Sequence, residues 1–530
     1  MKKNNNRSIH TGTLLVAALA FGQMAQAAPL ILGGNQTVNT DLVTESVVVG
    51  NSGAGPTGGN GDLTIDNGAT LTNSGTWSTL GLIGGVNYRS GWSYLGHNTG
   101  STGTATVSGA NSHWQNSDGP VIVGNFGHGT LSVQGGGQVT SAEGNLGIGA
   151  SSTGIATVIG ANSVWQNSGQ LFVGSGGNGT LNIENGGKVT NANGQIGINS
   201  GSTGAATVTG ANSRWENSGT LYVGNSGKGT LNIGNGGYVT NTTGALGVGS
   251  GAGVATITGA NSHWQNSGEL IVGNQGNGML NIKDGGRVTN TTGSLGSSVN
   301  STGIVTVTGS GSHWENTNRL LIGGVSAGAR GQGSLTIDDG GVVSATNGVT
   351  IWSTGSLSGN SGTLDSDVIN HGLIDPTEVL TITGDLALIE ASILALDIFG
   401  PTMYDQLFIG GDFFIDGLLT LDFDGFTQSA FDTTYDLIHI GGDIIGAWSD
   451  FDINVAGFDS ALLGYSIVGS SVDGYSRALR LTVAGTGDTG GNPGDPGTNP
   501  IPEPASGLLI GLGGWVMLML RRRNPGISLA

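Results

Sequence analysis

Three histidines, His113, His263 and His313, each stand one residue before a tryptophan in copies of one phrase. Imidazole can ligate zinc or carry a proton near neutral pH, so a recurring histidine is the first place to look for chemistry. Carboxylates recur as well. Glu184 and Asp284 fall at matching places 100 residues apart, and Glu216 and Glu315 fall 99 apart; two acids about 5 to 9.5 Å apart can cleave a glycosidic bond. Asp365-Ser366-Asp367 and Asp422-Phe423-Asp424 would each put two carboxylates on one face of an extended strand, where they could hold a calcium ion. The commoner use of such pairs is a solvated strand face. No Ser-His-Asp order, phosphate-binding loop, dinucleotide fingerprint, EF-hand or calcium nonapeptide repeat accompanies them. Whether any of these groups meet depends on the elements that carry them.

Those elements are set by a repeat. Trp114, Trp165, Trp215, Trp264 and Trp314 occupy one place in Ser-x-Trp-x-Asn, at spacings of 51, 50, 49 and 50 residues. Each of the first four has a counterpart half a unit later in Gly-Gly-x-Val-Thr, namely Val139, Val189, Val239 and Val288. The basic period is therefore about 25 residues, the mark of a stacked repeat. Within it three short apolar clusters, such as Leu181/Ile183, Val189 and Ile196/Ile198, alternate with Gly, Asn, Ser and Thr. Alternation at period 2 places them on one face of short strands, with turns between.

Three strands in 25 residues predict an all-β chain built as a three-sided parallel β-helix. A propeller blade ranks second, since its four antiparallel strands need about 40 to 45 residues. One rung cannot bury its apolar face alone, whereas stacked neighbours supply hydrogen bonds and a continuous core. The two-rung period has a packing cause. Ala105, Ala156, Ala206 and Ala255 occupy the first strand of tryptophan rungs, and Leu131, Leu181, Leu231 and Leu280 take that place in valine rungs. Small opposite large, then medium opposite medium, keeps each layer's volume nearly constant if the tryptophans point inward. An exposed ladder for sugar stacking or adhesion stays open at this point.

With tryptophan inward, the histidine column faces water and its nearest pair is two rungs, roughly 10 Å, apart, too far to share a zinc ion. The paired acids are four rungs, roughly 19 Å, apart, too far for a hydrolytic dyad. In the fifth unit Val305 replaces Ala, Gly311 replaces Asn and Ser297 stands where Val or Ile is expected, which predicts looser packing.

Residues 28–370 form the predicted β-helix, weakly patterned from 28 to 65, with about 13 rungs between 41 and 370 and a length on the order of 60 Å. From 371 to 484 the apolar runs lengthen and Asp becomes frequent, which suggests a β-rich domain, either an antiparallel sandwich or a cap on the last rung. Residues 485–500 are a Gly/Pro-rich tether with nothing to bury.

The two ends speak of export. Met1 to Ala27 reads as a signal peptide, with Lys2, Lys3 and Arg7 before an apolar run and Ala25-Gln26-Ala27 ahead of cleavage between Ala27 and Ala28. Residues 501–523 combine Pro502-Glu503-Pro504, an apolar run from Gly507 to Leu520 and Arg521-Arg522-Arg523, leaving a tail at 524–530. Fourteen apolar residues are marginal for a span, and the arginines would stay on the cytoplasmic side. There is no cysteine, so stacking rather than disulfides must stabilise an exported chain. Net charge is −19, and about −24 once both end segments are removed, which disfavours nucleic acid.

On these residues the repeated phrase, clearest from Thr104 to Gly323, resembles the type V secretion and PEP-CTERM-associated repeat of autotransporter-like passengers. The C-terminal segment resembles a PEP-CTERM sorting signal. The resemblance implies a right-handed β-helix, a Gram-negative envelope, and processing by signal peptidase and an exosortase after transient inner-membrane insertion. It implies delivery to the cell surface, outer membrane or matrix, often beside exopolysaccharide, and no catalytic residue, metal or cofactor. The expected function is structural or adhesive, without catalysis; the alternative is a carbohydrate-active or polysaccharide-binding β-helix. A classical autotransporter would need a C-terminal membrane barrel, which the stretch after the tether does not suggest.

Overall fold

The computed structural model describes residues 30–50, 59–75, 80–83, 86–429, 431–446 and 450–486. The signal segment 1–27 with Ala25, Ala27 and Ala28 lies outside the described residues. So do the sorting segment 501–523, with Pro502, Glu503, Pro504, Arg521, Arg522 and Arg523, the tail 524–530, and all but the first two residues of the tether.

Strands follow a three-beat order. In the Trp165 rung a seven-residue strand, Thr153–Ile159, leads to a four-residue strand, Val164–Asn167, and a three-residue strand, Leu171–Val173. The next rung repeats it with Asn178–Glu184, Lys188–Asn191 and Gly194–Ile196. Each strand pairs in parallel with its counterpart one rung on, as Ala156 with Leu181, Trp165 with Val189 and Val173 with Ile196. The result is a three-sided parallel β-helix of about 25 residues per turn. Its faces are a long-strand sheet, a tryptophan sheet and a short-strand sheet.

Sequence explains the corners. Asn162, Asn185, Asn212, Asn235 and Asn261 hold φ values of 51 to 67°, a left-handed turn that asparagine tolerates better than most side chains. Inside, the five repeat tryptophans are fully buried. Ala156 sits between Leu131 and Leu181, and Ala206 between Leu181 and Leu231, so small and large alternate up the long-strand sheet. A second concession to the indole lies in the short-strand sheet. A Cβ on Gly144, Gly194, Gly244 or Gly293 would come within 2.7 to 2.9 Å of Cζ2 of the tryptophan in the following rung. The indoles of Trp165, Trp215 and Trp264 thus occupy space vacated by an alanine in their own rung and a glycine in the rung before, while Trp314 has the glycine and Val305 in place of the alanine.

Two expectations are corrected. The core does not loosen in the fifth unit: Val305, Val307, Trp314, Leu320 and Ile322 have no exposed surface, because Val305 fills the layer between Leu280 and Leu335. Nor does the architecture change at 371. Parallel stacking continues through Ile374, Leu394, Leu419 and Ile453 in one sheet, and through Leu380, Leu407 and Ile438 in another. The irregular rhythm reflects variable corners between strands that keep their register. One rung shrinks to 18 residues from Leu364 to Ile382, and another stretches to 31 from Leu407 to Ile438. Antiparallel structure is confined to the last piece, where Arg477–Val483 pairs with Thr433–Ile440 on one side and Leu463–Gly469 on the other, and to small hairpins such as Leu80–Ile83 with Val86–Arg89. No helix among the described residues is long and apolar enough to cross a membrane.

Candidate functional site

Two residues beyond each tryptophan, on the same inward face, stands an asparagine: Asn116, Asn167, Asn217, Asn266 and Asn316, all buried. A buried amide needs partners, and here it finds them up and down the stack. Asn191 Nδ2 donates to Asn217 Oδ1 at 2.6 Å, while Asn191 Oδ1 accepts the Trp215 indole Nε1–H at 2.7 Å. Trp264 repeats the bond with Asn241, and Trp314 with Asn290, each at 2.7 Å; Trp165 uses Ser141 Oγ at 3.0 Å. Trp114, at the start of the ladder, has no hydrogen-bond partner for its Nε1. The asparagine below it, Asn73, turns its Oδ1 to the Gly75 N–H instead, 3.3 Å away. The phrase Trp-x-Asn therefore encodes an interior polar ladder, visible in sequence only once tryptophan is placed inward. Its chemistry is structural.

The outward face of the same sheet carries the groups able to meet a ligand. Register puts His113, Gln138, Val164, Lys188, Arg214, Tyr238, His263, Arg287 and His313 in one column, one residue per rung. Sequence reasoning found the three histidines, with Val164 and Arg214 at the same place in the other copies, and missed the residues of the rungs between. The missing signal is the variable residue of Gly-Gly-x-Val-Thr, which stacks on the residue before tryptophan and supplies Lys188, Tyr238 and Arg287. The Arg214 guanidinium lies over the Tyr238 ring, 5.1 Å from its centroid, and that ring meets the His263 imidazole at 5.3 Å. Tyr238 donates its hydroxyl hydrogen to Gln265. Lys188 pairs with Glu216 at 2.9 Å, and Arg287 pairs with Glu315.

The histidines are half-buried rather than free in water. A hydroxyl of the next rung lies against each Nε2, from Thr140 at 3.3 Å, Thr289 at 3.0 Å and Ser344 at 3.0 Å. Burial, with the Arg287 charge adding, pushes the His263 imidazole down to about 4, and burial lowers His113 and His313 in the same direction. These rings are neutral at pH 7. Between His263 and His313 stands Arg287, so the closest histidines are two rungs apart. Among the described residues no three His, Asp or Glu side chains converge as metal ligands would.

The acids fall apart from one another. Glu216 and Glu315 do share a column, four rungs apart through Thr240, Gln265 and Thr289. Glu184 and Asp284 do not: the column of Glu184 reaches Lys283, and Asp284 takes a left-handed corner at φ 55°. The notation of the phrase, Ile-Glu-Asn against Ile-Lys-Asp, conceals this shift of one residue. Asp365 accepts from Thr383 Oγ1 at 2.6 Å, and Asp422 from the Asp424 N–H at 3.1 Å.

Asp367 belongs to a second ladder that the sequence reading passed over. Its Oδ1 accepts the Asp385 N–H at 3.0 Å, Asp385 accepts that of Asp412 at 2.7 Å, and Asp412 that of Asp443 at 2.7 Å. Glycine precedes the last three because a Cβ on Gly384, Gly411 or Gly442 would lie 2.1 to 2.3 Å from the carboxylate one rung below. Gly-Asp ahead of an apolar pair is the sequence signal, blurred by uneven spacing.

Compared with known proteins, no family model matches the chain, and no curated protein matches it either.

Proposed function

We propose that this chain is a secreted, exosortase-sorted surface or extracellular-matrix protein with a structural or adhesive role and no catalysis. The observation that supports the structural part is the uninterrupted parallel pairing from Leu30–Leu32 to Asp452–Ala456, about 15 turns of one stack. At one strand spacing per turn that is a rod on the order of 70 Å long, with a filled core and polar flanks. Such a body spaces and presents. Export rests on the two ends: signal peptidase would cut after Ala27, and an exosortase would act near Pro502-Glu503-Pro504 while residues 507–520 pause in the inner membrane.

Fractionation of cells expressing the full chain or a version lacking residues 501–530 tests the sorting. The full chain is expected at the surface or in the matrix, and the truncated one in the periplasm or medium. Identical distributions would remove the sorting reading. New reducing ends or unsaturated products on incubating the purified chain with exopolysaccharides would remove the non-catalytic one.

A further inference from the structure

We infer that the outward column from Lys188 to His313 on the tryptophan sheet binds an extended anionic polysaccharide lying along the rod. The inference rests on the adhesive reading above and gives it a surface and a ligand class. Six consecutive rungs present Lys188, Arg214, Tyr238, His263, Arg287 and His313 in register. Cations are scarce in this chain, 16 against 35 acids, and three of them align here on a protein of net charge −19. Glu216 and Glu315 pair with two of the three, so the strip keeps one cation in excess, at Arg214, against an otherwise acidic protein, and an anionic polymer is steered toward it.

Spacing carries the argument further. Neighbouring side chains stand one strand spacing apart, roughly 4.8 Å, so six rungs make a strip about 24 Å long. One sugar residue of an extended chain is close to a single strand spacing long, so successive sugars can meet successive rungs. Tyr238, partly exposed with Arg214 over its ring and His263 beside it, adds aromatic surface that a sugar can contact, and the His263 ring is neutral at pH 7. Arg214 is exposed, and unlike Lys188 and Arg287 it lies over an aromatic ring rather than on a carboxylate. A guanidinium held in that way keeps its in-plane N–H fork for a ligand carboxylate. Gln265, in the adjoining column, stands where sugar hydroxyls would need partners. A shallow depression of about 400 Å³ between Ser168, Thr190, Ala192, Glu216 and Ser218 opens at the end of these strands.

The test is retention of the full purified chain in gels containing polygalacturonate, with dextran as the neutral control. Polygalacturonate should retard the chain, dextran should not, and added salt should weaken the effect. R214Q should weaken retention about tenfold, the loss of roughly one charge-assisted contact of 1.4 kcal/mol. Y238T should weaken it several-fold, and K228Q, on another face, should leave it unchanged. Glu216→Gln removes a competing negative charge beside Arg214 and should tighten binding, a gain that misfolding cannot mimic. Absence of retention, equal retention in dextran, or R214Q and E216Q both matching the unsubstituted chain would overturn the inference. A chain that reaches the surface yet ignores polygalacturonate sinks this inference alone, whereas one that binds it but is never sorted sinks only the export reading.

Discussion

Rungs from Thr104 to Gly323 and rungs from Gly355 to Ala456 solve the same stacking problem in opposite places. The first set puts its polar ladder inside: neutral asparagines bridge rungs and receive the indole N–H, and glycine and alanine make room for the ring. The second set has no repeat tryptophan. Its interior is aliphatic through Leu357, Ile374, Leu394 and Leu419 and gains the unrepeated rings of Phe413, Phe423, Tyr435 and Phe451, and its ladder of Asp367, Asp385, Asp412 and Asp443 stands at a corner, partly in water. Interior amides cannot exchange partners with water, so they demand a fixed rung length and a two-rung alternation. Corner carboxylates demand only a glycine before them, and rungs of 17 to 34 residues are tolerated. Where the polar ladder sits decides how regular the sequence must be.

The largest expected effect comes from removing the indole. Trp215→Ala should cost about 3 to 5 kcal/mol, read as a lower urea midpoint and faster hydrogen exchange in the rungs of Val189 to Val239. A loss under about 1 kcal/mol would mean that the alternation is not a packing device. Gly194→Ala tests the complementary void: its Cβ would sit 2.6 Å from Asn217 Oδ1 and 2.9 Å from Trp215 Cζ2, and overpacking of about 1 to 3 kcal/mol is expected. The sharpest test of the comparison is a pair of deletions. Asn191→Ala leaves the Trp215 N–H and the Asn217 Oδ1 unpaired inside, at about 1 to 3 kcal/mol, whereas Asp385→Ala exposes one backbone N–H near solvent, at about 1 kcal/mol or less. Equal losses in thermal melts would erase the distinction between the ladders.

The smallest effect is electrostatic. His263 has an ordinary value of 6.5 that folding lowers to about 4. Between those values the unfolded chain binds more protons than the folded one, so stability falls as pH falls through this window. His113 and His313 shift the same way. Replacing His263 by Gln should flatten the acid limb of stability against pH; an unchanged limb would show that this ring does not contribute.

Much of the first region was legible because its constraints are periodic. Trp114 to Trp314 and Ala105 to Ala255 announce rung length, inward face and layer volume without any structure. Gly144 and Gly194 were harder to read, since a chain with 104 glycines gives no reason to single them out. In the second region the uneven rungs hid the parallel stack: Ile393–Gly400 is eight residues long and reads equally well as an antiparallel strand. The outer column escaped for a different reason. Lys188, Tyr238 and Arg287 occupy the variable position of one phrase, and Arg214 and His263 that of another, so their alignment depends on register, which pattern alone leaves one residue uncertain, as Glu184 and Asp284 illustrate.

The reversed strand Arg477–Val483 bears on how the rod ends. It lies against Thr433–Ile440, the last parallel strand of the tryptophan sheet, and Arg480 clamps Asp436 through two hydrogen bonds of 2.6 and 2.9 Å. A parallel template is interrupted where a strand runs the wrong way. Leu463–Gly469 lies on the far side of that strand and runs with the stack again, so this sheet closes on a reversed strand locked between two forward ones, and prising that end open means unzipping both of its flanks.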